Sequence, residues 1–186
     1  MSNEVQVKKL TDIMAQFVGF TAKKLPDDVI AKLQELRDQE DSPMAKVIYD
    51  TMFRNQGLAL KLNRPSCQDT GVLQFWVKCG TKFPLIDELE ALLKEAVIQA
   101  TFATPLRHNS VETFDEYNTG KNVGKGTPTV WWDIVPHSDQ CEIYTYMAGG
   151  GCTLPGNATV LMPGEGYEGV TKFVLDRMTS YGLNAC

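Results

Sequence analysis

The chain has 186 residues, of which 43% are hydrophobic and 22% are charged, and its formal net charge is −5 at pH 7. These are ordinary globular values, and the acidic balance argues against a nucleic-acid binder, which usually carries a basic surface. No apolar stretch approaches the length of a membrane span, and the N-terminus lacks the pattern of a secretory signal. We therefore expect one cytoplasmic domain over residues 1–186 that binds neither nucleic acid nor membrane.

Four segments carry the apolar periodicity of amphipathic helices. The first is the N-terminal stretch "MSNEVQVKKLTDIMAQF", and the second begins near Pro26, which two acidic residues follow. In the third, Ser42 is predicted to be the N-cap and Pro43 the first helical residue. The fourth, "LIDELEALLKEAVIQATFA", has an apolar stripe made of Leu89, Leu92, Leu93, Ala96 and Val97.

Segments rich in β-branched and aromatic residues follow the third and fourth helices and are predicted to be strands. "VLQFWVKCG" is the first, and "TVWWDIVP" and "CEIYTYMA" are predicted to pair with each other across a polar turn at residues 137–140. We expect the stripe Val130, Trp131, Trp132 and Ile134 to pack in the core and on the face of the strand. A short strand "ATVLMP" and a helix "GYEGVTKFVLDRMTSYG" follow. Helices first, then mixed strands and helices, predict an α+β (mixed α/β) fold.

The five cysteines show neither a C-x-x-C pair nor an even count. Disulfides are improbable in a cytoplasmic chain, so we expect most of these thiols to be buried and to pack as small hydrophobes. A zinc site built from scattered cysteines is a weak alternative, because no compact ligand pair exists. The cysteines are Cys67, Cys79, Cys141, Cys152 and Cys186.

The stretch "LNRPSCQDTG" places a cysteine, an amide and a carboxylate between a predicted helix and a predicted strand. Constrained loops of this kind often carry functional residues, and Cys67 is a candidate metal ligand. The alternative is a solvated turn in which Gln68 and Asp69 cap backbone amides, and the pattern alone favours that turn.

Three other loops contain candidate binding residues. "PLRHN" places Arg107, whose planar guanidinium suits a carboxylate, beside His108, which could be an acid, a base, a ligand or a structural residue. "MAGGGCT" contains three glycines that permit close backbone approach to a ligand, although a tight connector would look the same. "NTGKNVGKGTP" could cradle a phosphate through Lys121 and Lys125, but a solvated hairpin loop is favoured. Together the loops suit an acidic small molecule near a metal.

The motifs "NRPSCQDTG", "PLRHNSVE", "NTGKN", "YMAGGGCT" and "LMPGEGYEGV", in this order, resemble the class I fumarase and tartrate dehydratase family of iron–sulfur hydro-lyases. The resemblance runs over essentially the whole chain and is to alpha-type subunits. It implies a [4Fe–4S] cluster held by three cysteines, with one open iron that acts as a Lewis acid. The implied reaction removes water from a C4 2-hydroxydicarboxylate, with tartrate to oxaloacetate ahead of malate to fumarate.

The same resemblance assigns roles to individual residues. Cys67 and Cys186 match two of the cluster ligands. His108 adjoins Arg107 in its motif and is carried only as a candidate that supports the site from behind it. The positions that match substrate contacts are Gln68, Asp69, Arg107 and Gly150.

The family pattern also implies what this chain lacks. The third cluster cysteine lies beyond residue 186 in family members, so we expect a truncated chain that is inactive alone. The catalytic base is expected in a beta-type subunit or a C-terminal domain, in an assembly of two alpha and two beta subunits or a homodimer of the fused form. A non-catalytic subunit or binding module that keeps the fold is the alternative from another functional class.

Overall fold

The computed structural model describes residues 2–112, 114–150 and 156–180. The chain divides into two compact units, Met1–Met147 and Ala148–Cys186, and each is described by itself. The expectation of one domain over residues 1–186 stays a prediction. None of the helices in the described ranges has the length and apolar character needed to cross a membrane.

The described residues form a mixed α+β fold, as the sequence predicts. Short 3-10 turns at Ile86–Glu88 and Pro163–Glu165 precede the last two helices. The helices and strands, in chain order, are α1 (Asn3–Thr21), α2 (Asp27–Gln39), α3 (Pro43–Leu62), β1 (Val72–Gly80), α4 (Leu89–Ala103), β2 (Val111–Glu112), β3 (Tyr117–Asn118), β4 (Thr129–Val135), β5 (Cys141–Ala148) and α5 (Gly166–Ser180).

The predicted start of α3 is confirmed, and its end determines where the first candidate loop begins. The Ser42 hydroxyl accepts the N–H of Ala45 at 3.4 Å, and Pro43 occupies the first helical position. α3 ends at Leu62, and Asn63 follows with a φ of 51°, in the left-handed region that stops a helix. The Asn63 side-chain amide also donates to the carbonyl of Ala103 at 3.0 Å, which joins the ends of α3 and α4.

The core of the first unit lies between one face of β1 and the apolar sides of α1 and α4. All five residues of the predicted α4 stripe are buried, which confirms that prediction. β1 contributes four fully buried side chains on one face, because strand side chains alternate between faces. These are Leu73, Phe75, Val77 and Cys79.

The prediction that the two later strands pair with each other is wrong, because β1 lies between them in the order β4-β1-β5. β1 pairs with β4 in parallel, from Gln74 opposite Thr129 to Gly80 opposite Val135. The turn after β4 contacts the end of β1, because the Gly80 N–H donates to the Gln140 carbonyl at 2.8 Å. β1 is the most fully buried strand and takes the central position, which leaves the less buried strands at the edges.

Two further expectations are corrected. The core part of the prediction for the β4 stripe is wrong for Trp131 and Ile134, which are 47% and 48% exposed because β4 is an edge strand. Its strand-face part is confirmed for Trp131, which stacks on Trp76 with ring centroids 5.4 Å apart. The predicted strand "ATVLMP" is irregular over residues 158–162, and Val160 is almost fully exposed. A strand forms only where neighbouring backbone satisfies its hydrogen bonds, which an apolar run alone does not supply.

Candidate functional site

Two hydrogen bonds to the backbone of Ser66 anchor the loop that carries Cys67. Ser66 N–H donates to the carbonyl of Ala22 at 2.9 Å, and the Asn55 side-chain amide donates to the Ser66 carbonyl at 2.6 Å. α1 and α3 therefore hold the residue immediately before Cys67. The position of the cysteine depends on packed helices, although the thiol itself is exposed.

The Cys67 thiol lies among donors and acceptors from its own loop. Its sulfur accepts the N–H of Asp69 at 3.4 Å and contacts Gln68 Oε1 at 3.7 Å. An exposed thiol with a backbone N–H directed at the sulfur is a suitable soft ligand for an iron–sulfur centre. The contact between the Cys67 sulfur and Gln68 Oε1 keeps the Gln68 side chain beside the thiol.

Asp69 closes the turn and also joins it to the second candidate loop. Its Oδ1 accepts the N–H of Gly71 at 3.1 Å, the Asx-turn arrangement that the sequence offered as the alternative interpretation. Gly71 has a φ of 67°, which a glycine adopts without strain. The same oxygen accepts a hydrogen bond from the side-chain amide of Asn109. The turn is therefore also a link between distant segments.

Arg107 shares one open cavity of about 470 Å³ with Cys67 and Gln68. The segment "PLRHN" leaves α4 through a bond from Leu106 N–H to the Thr101 carbonyl at 3.0 Å, and Pro105 also lines the cavity. A thiol, a carboxamide and a guanidinium thus face the same space. This set can bind a small carboxylate, because the guanidinium offers paired donors and the amide adds hydrogen-bonding groups.

The other predicted site residues lie elsewhere. His108 is not among the residues that line the cavity; its ring meets Phe102 edge-on at 6.4 Å, and its carbonyl accepts the Asn118 amide at 2.7 Å. Gly150 is an exposed residue of the second unit. Cys186 falls outside the described residues. The roles of these residues stay predictions.

Sequence reasoning missed two asparagines that organise the site. Asn109 contacts Asp69, and Asn122 is fully buried beneath the segment that contains Arg107. Three buried side-chain oxygens in the loops of Cys67 and Arg107 have no hydrogen-bond partner within the described residues. They are Thr70 Oγ1, Asn109 Oδ1 and Ser110 Oγ, so both loops place polar atoms in buried positions. The sequence offered one signal for Asn122: an asparagine, which tolerates a left-handed backbone, stands between two glycines in "TGKNVG".

The remaining described thiols belong to the sheet. Cys79 is fully buried on β1, and burial, together with a hydrogen bond to Cys79, raises the pKa of Cys141 to about 12. Cys152 lies outside the described residues. Within the described ranges, no three His, Cys, Asp or Glu side chains are grouped closely enough to hold a metal ion. Cys67 is therefore a single candidate ligand that the described ranges do not complete to a set of three.

The comparisons with known proteins bear on this arrangement. The sequence model of the family described as Fumarate hydratase (Fumerase) matches residues 11–186. The chain belongs to the fumarate hydratase (fumerase) family. Over all of its 186 residues it is similar to proteins named L(+)-tartrate dehydratase subunit alpha: 58% identical in Escherichia coli O157:H7, and 57% in Escherichia coli (strain K12) and Shigella boydii serotype 4 (strain Sb227). It spans 61% of the length of each of these relatives.

Thiol labelling should separate Cys67 from the sheet cysteines. At about pH 8 we expect iodoacetamide to modify Cys67 in the native protein, because the thiol is exposed. Cys79 should react only after unfolding because it is buried. Cys141 is half-buried, and its raised pKa keeps the thiol protonated, so it should also react much more slowly than Cys67 in the native protein. Peptide mass analysis, which scores each cysteine separately, gives the readout, and Cys67→Ser is the control. Equal native labelling of Cys67 and Cys141 would contradict this arrangement.

Proposed function

We propose that this chain is part of an iron–sulfur hydro-lyase that removes water from a C4 2-hydroxydicarboxylate, with L(+)-tartrate to oxaloacetate as the leading reaction. The observation that carries the proposal is the identity of 57–58% to L(+)-tartrate dehydratase alpha subunits over the whole chain. The family match to fumarate hydratase makes malate to fumarate the alternative reaction.

The donor chemistry at Cys67 fits a [4Fe–4S] cluster as one of its ligands. The thiol is exposed at an open cavity, and a backbone N–H is directed at its sulfur, a contact that tunes iron–sulfur centres. We assign Cys186 as a second ligand, and the set is completed by residues outside those described. When bound, such a cluster supplies a Lewis-acidic iron that polarises the substrate's carbon–oxygen bond.

The residues of this chain would bind and orient the dicarboxylate. The Arg107 guanidinium would bind one carboxylate in a bidentate manner, and Gln68 would contact the substrate from the same cavity. Asp69, whose N–H is directed at the Cys67 sulfur in the same turn, would also contact the substrate beside the cluster. Gly150 would contribute a backbone contact, and His108 would support Arg107 from the adjoining position. Fixing both ends of the substrate lowers the entropic cost of reaching the reactive geometry.

A partner completes the proposed enzyme. The relatives are named as alpha subunits, which supports assembly of this chain with a beta-type subunit. We propose that the partner, or a C-terminal domain in a fused form, supplies the base that removes the proton. Two alpha and two beta subunits is the proposed stoichiometry.

Replacement of Cys67 tests the cluster assignment. After anaerobic reconstitution of the intact subunit with iron and sulfide, we expect Cys67→Ser to lose most of the broad visible absorption and the bound iron, because an alcohol is a poor ligand for iron in a cluster. Cys141→Ala, which changes a thiol of the sheet, is the control and should retain both. A Cys67→Ser protein with the wild-type iron content would contradict the assignment.

Arg107 should control substrate affinity. We expect Arg107→Ala to raise the KM for the dicarboxylate roughly 30-fold, about 2 kcal/mol, because hydrogen bonds to a charged group are lost. Arg107→Lys should recover only part of this, since an ammonium cannot bind a carboxylate with a planar fork. Arg54→Ala, which removes an exposed arginine of α3, is the matched control. If Arg107→Ala and Arg54→Ala have the same KM, Arg107 does not bind substrate.

A further inference from the structure

The loop "NTGKNVGKGTP" has a role beyond that of a solvated hairpin. Lys121 and Lys125 are exposed, but Asn122 between them is 0% exposed. Asn122 has a φ of 57°, a left-handed conformation that asparagine tolerates better than most residues. A fully buried amide in this conformation is stable only when its polar atoms are satisfied.

The Asn122 side chain forms four hydrogen bonds, all within the first unit. Its Oδ1 accepts the backbone N–H groups of Asn109 at 3.0 Å and Ser110 at 3.4 Å. Its Nδ2 donates to the Arg107 carbonyl at 3.1 Å and to Thr101 Oγ1 at 3.2 Å. Three of the four bonds therefore reach the backbone of residues 107–110, and the amide uses both of its donors.

The fourth bond fixes that segment to a helix. Thr101 lies in the last turn of α4, where its hydroxyl donates to the Val97 carbonyl at 2.7 Å and can accept from Asn122. The loop that carries Asn122 is itself held by short bonds: Thr119 Oγ1 donates to the Val123 carbonyl at 2.8 Å, and Asn118 donates to the His108 carbonyl at 2.7 Å. Asn122 thus connects a packed helix to a segment without regular structure.

The connection continues to the Cys67 loop. Asn109, whose backbone N–H is bound by Asn122, donates from its side-chain amide to the Asp69 carboxylate. Asp69 in turn directs its own N–H at the Cys67 sulfur. A continuous path of hydrogen bonds therefore runs from α4 through Asn122 and Asn109 to the loop of the candidate ligand.

We propose that Asn122 is a positioning residue that fixes the Arg107 guanidinium relative to Cys67 and Gln68. Asn109, which bonds to both Asn122 and Asp69, couples the segment of Arg107 to the loop of Cys67. Asn122 is not among the residues that line the cavity and acts through Arg107. This role rests on the proposed function, since it is defined by how Arg107 binds a dicarboxylate. A displacement of about 1 Å at a substrate-orienting group can cost roughly 100-fold in rate.

Three variants separate positioning from general stability. Asn122→Gly keeps the left-handed backbone and removes all four side-chain bonds. Asn122→Asp keeps the acceptor of the two N–H groups and loses both donated bonds. Val77→Ala is the stability control, because it removes buried apolar volume from β1 in the core, and a valine side chain makes no hydrogen bond to residues 107–110.

The experiment uses the intact subunit with its beta-type partner and reconstituted cluster. For Asn122→Gly we expect the KM for L(+)-tartrate to rise roughly 3- to 10-fold, less than for Arg107→Ala because the guanidinium is still present, while circular dichroism shows each variant folded at the assay temperature. Asn122→Asp should lie between Asn122→Gly and wild type. Val77→Ala should lower the unfolding midpoint and leave the KM unchanged. If Asn122→Gly leaves KM unchanged and behaves like the control, Asn122 has only a structural role and the proposal is overturned.

Hydrogen exchange distinguishes failure of this proposal from failure of the proposed function. In Asn122→Gly we expect faster exchange at the amides of Asn109 and Ser110, because both lose the Asn122 Oδ1 acceptor and Asn109 keeps only its bond to the Arg107 carbonyl. The amide of Asp69, which Asn109 links to Asn122, should also exchange faster, and Val77→Ala should change none of the three. If the wild type turns over no dicarboxylate but Asp69 shows this change, the function fails and the coupling stands. If Asp69 exchanges at the wild-type rate in Asn122→Gly, the coupling fails whatever the activity.

Discussion

The contact between the Asn109 amide and the Asp69 carboxylate is the interaction on which the candidate site depends. It joins two loops that are 40 residues apart in the chain, one after α3 and one after α4. The contact therefore bonds the loop of Cys67 directly to the loop of Arg107. With it, a thiol, an amide and a guanidinium can face one cavity in a fixed arrangement.

The packing beneath that contact explains why the loops meet. β1 and α4 share the core, and Asn63 bonds the end of α3 to the carbonyl of Ala103 at the end of α4. Because both helices end at the same place, the segments that leave them begin as neighbours. The buried asparagine at position 122 then fixes the second segment to α4, so the site is built on helices although its residues lie in loops.

Local signals in the sequence were sufficient to predict the helices. Ser42 followed by Pro43 is a start signal that acts within one turn, and the α4 stripe is a periodic pattern that needs no knowledge of its partner. The order of the strands was not predictable in this way, because β1 separates two strands that follow each other in the chain. Pairing depends on which strand can bury a full face, and that is a property of the whole sheet.

The candidate site was predictable in its residues but not in its organisation. Cys67, Gln68 and Arg107 could be named from motifs, and Asp69 was open to both a turn and a functional interpretation because it makes local and distant bonds. Asn122 was missed, since its partners lie 12 to 21 residues away and the surrounding lysines and glycines look like solvated loop. Hydrogen bonds between distant segments leave no periodic trace in a sequence.

The most direct test is turnover by the intact subunit with the proposed beta-type partner, purified and reconstituted without oxygen. The measurement is kcat/KM for L(+)-tartrate and for L-malate, with oxaloacetate and fumarate identified as the products. We expect dehydration of both substrates to depend on the cluster and L(+)-tartrate to give the higher value. Equal or greater turnover of malate would contradict the choice of substrate, and a cluster-loaded protein that dehydrates neither acid would contradict the central claim.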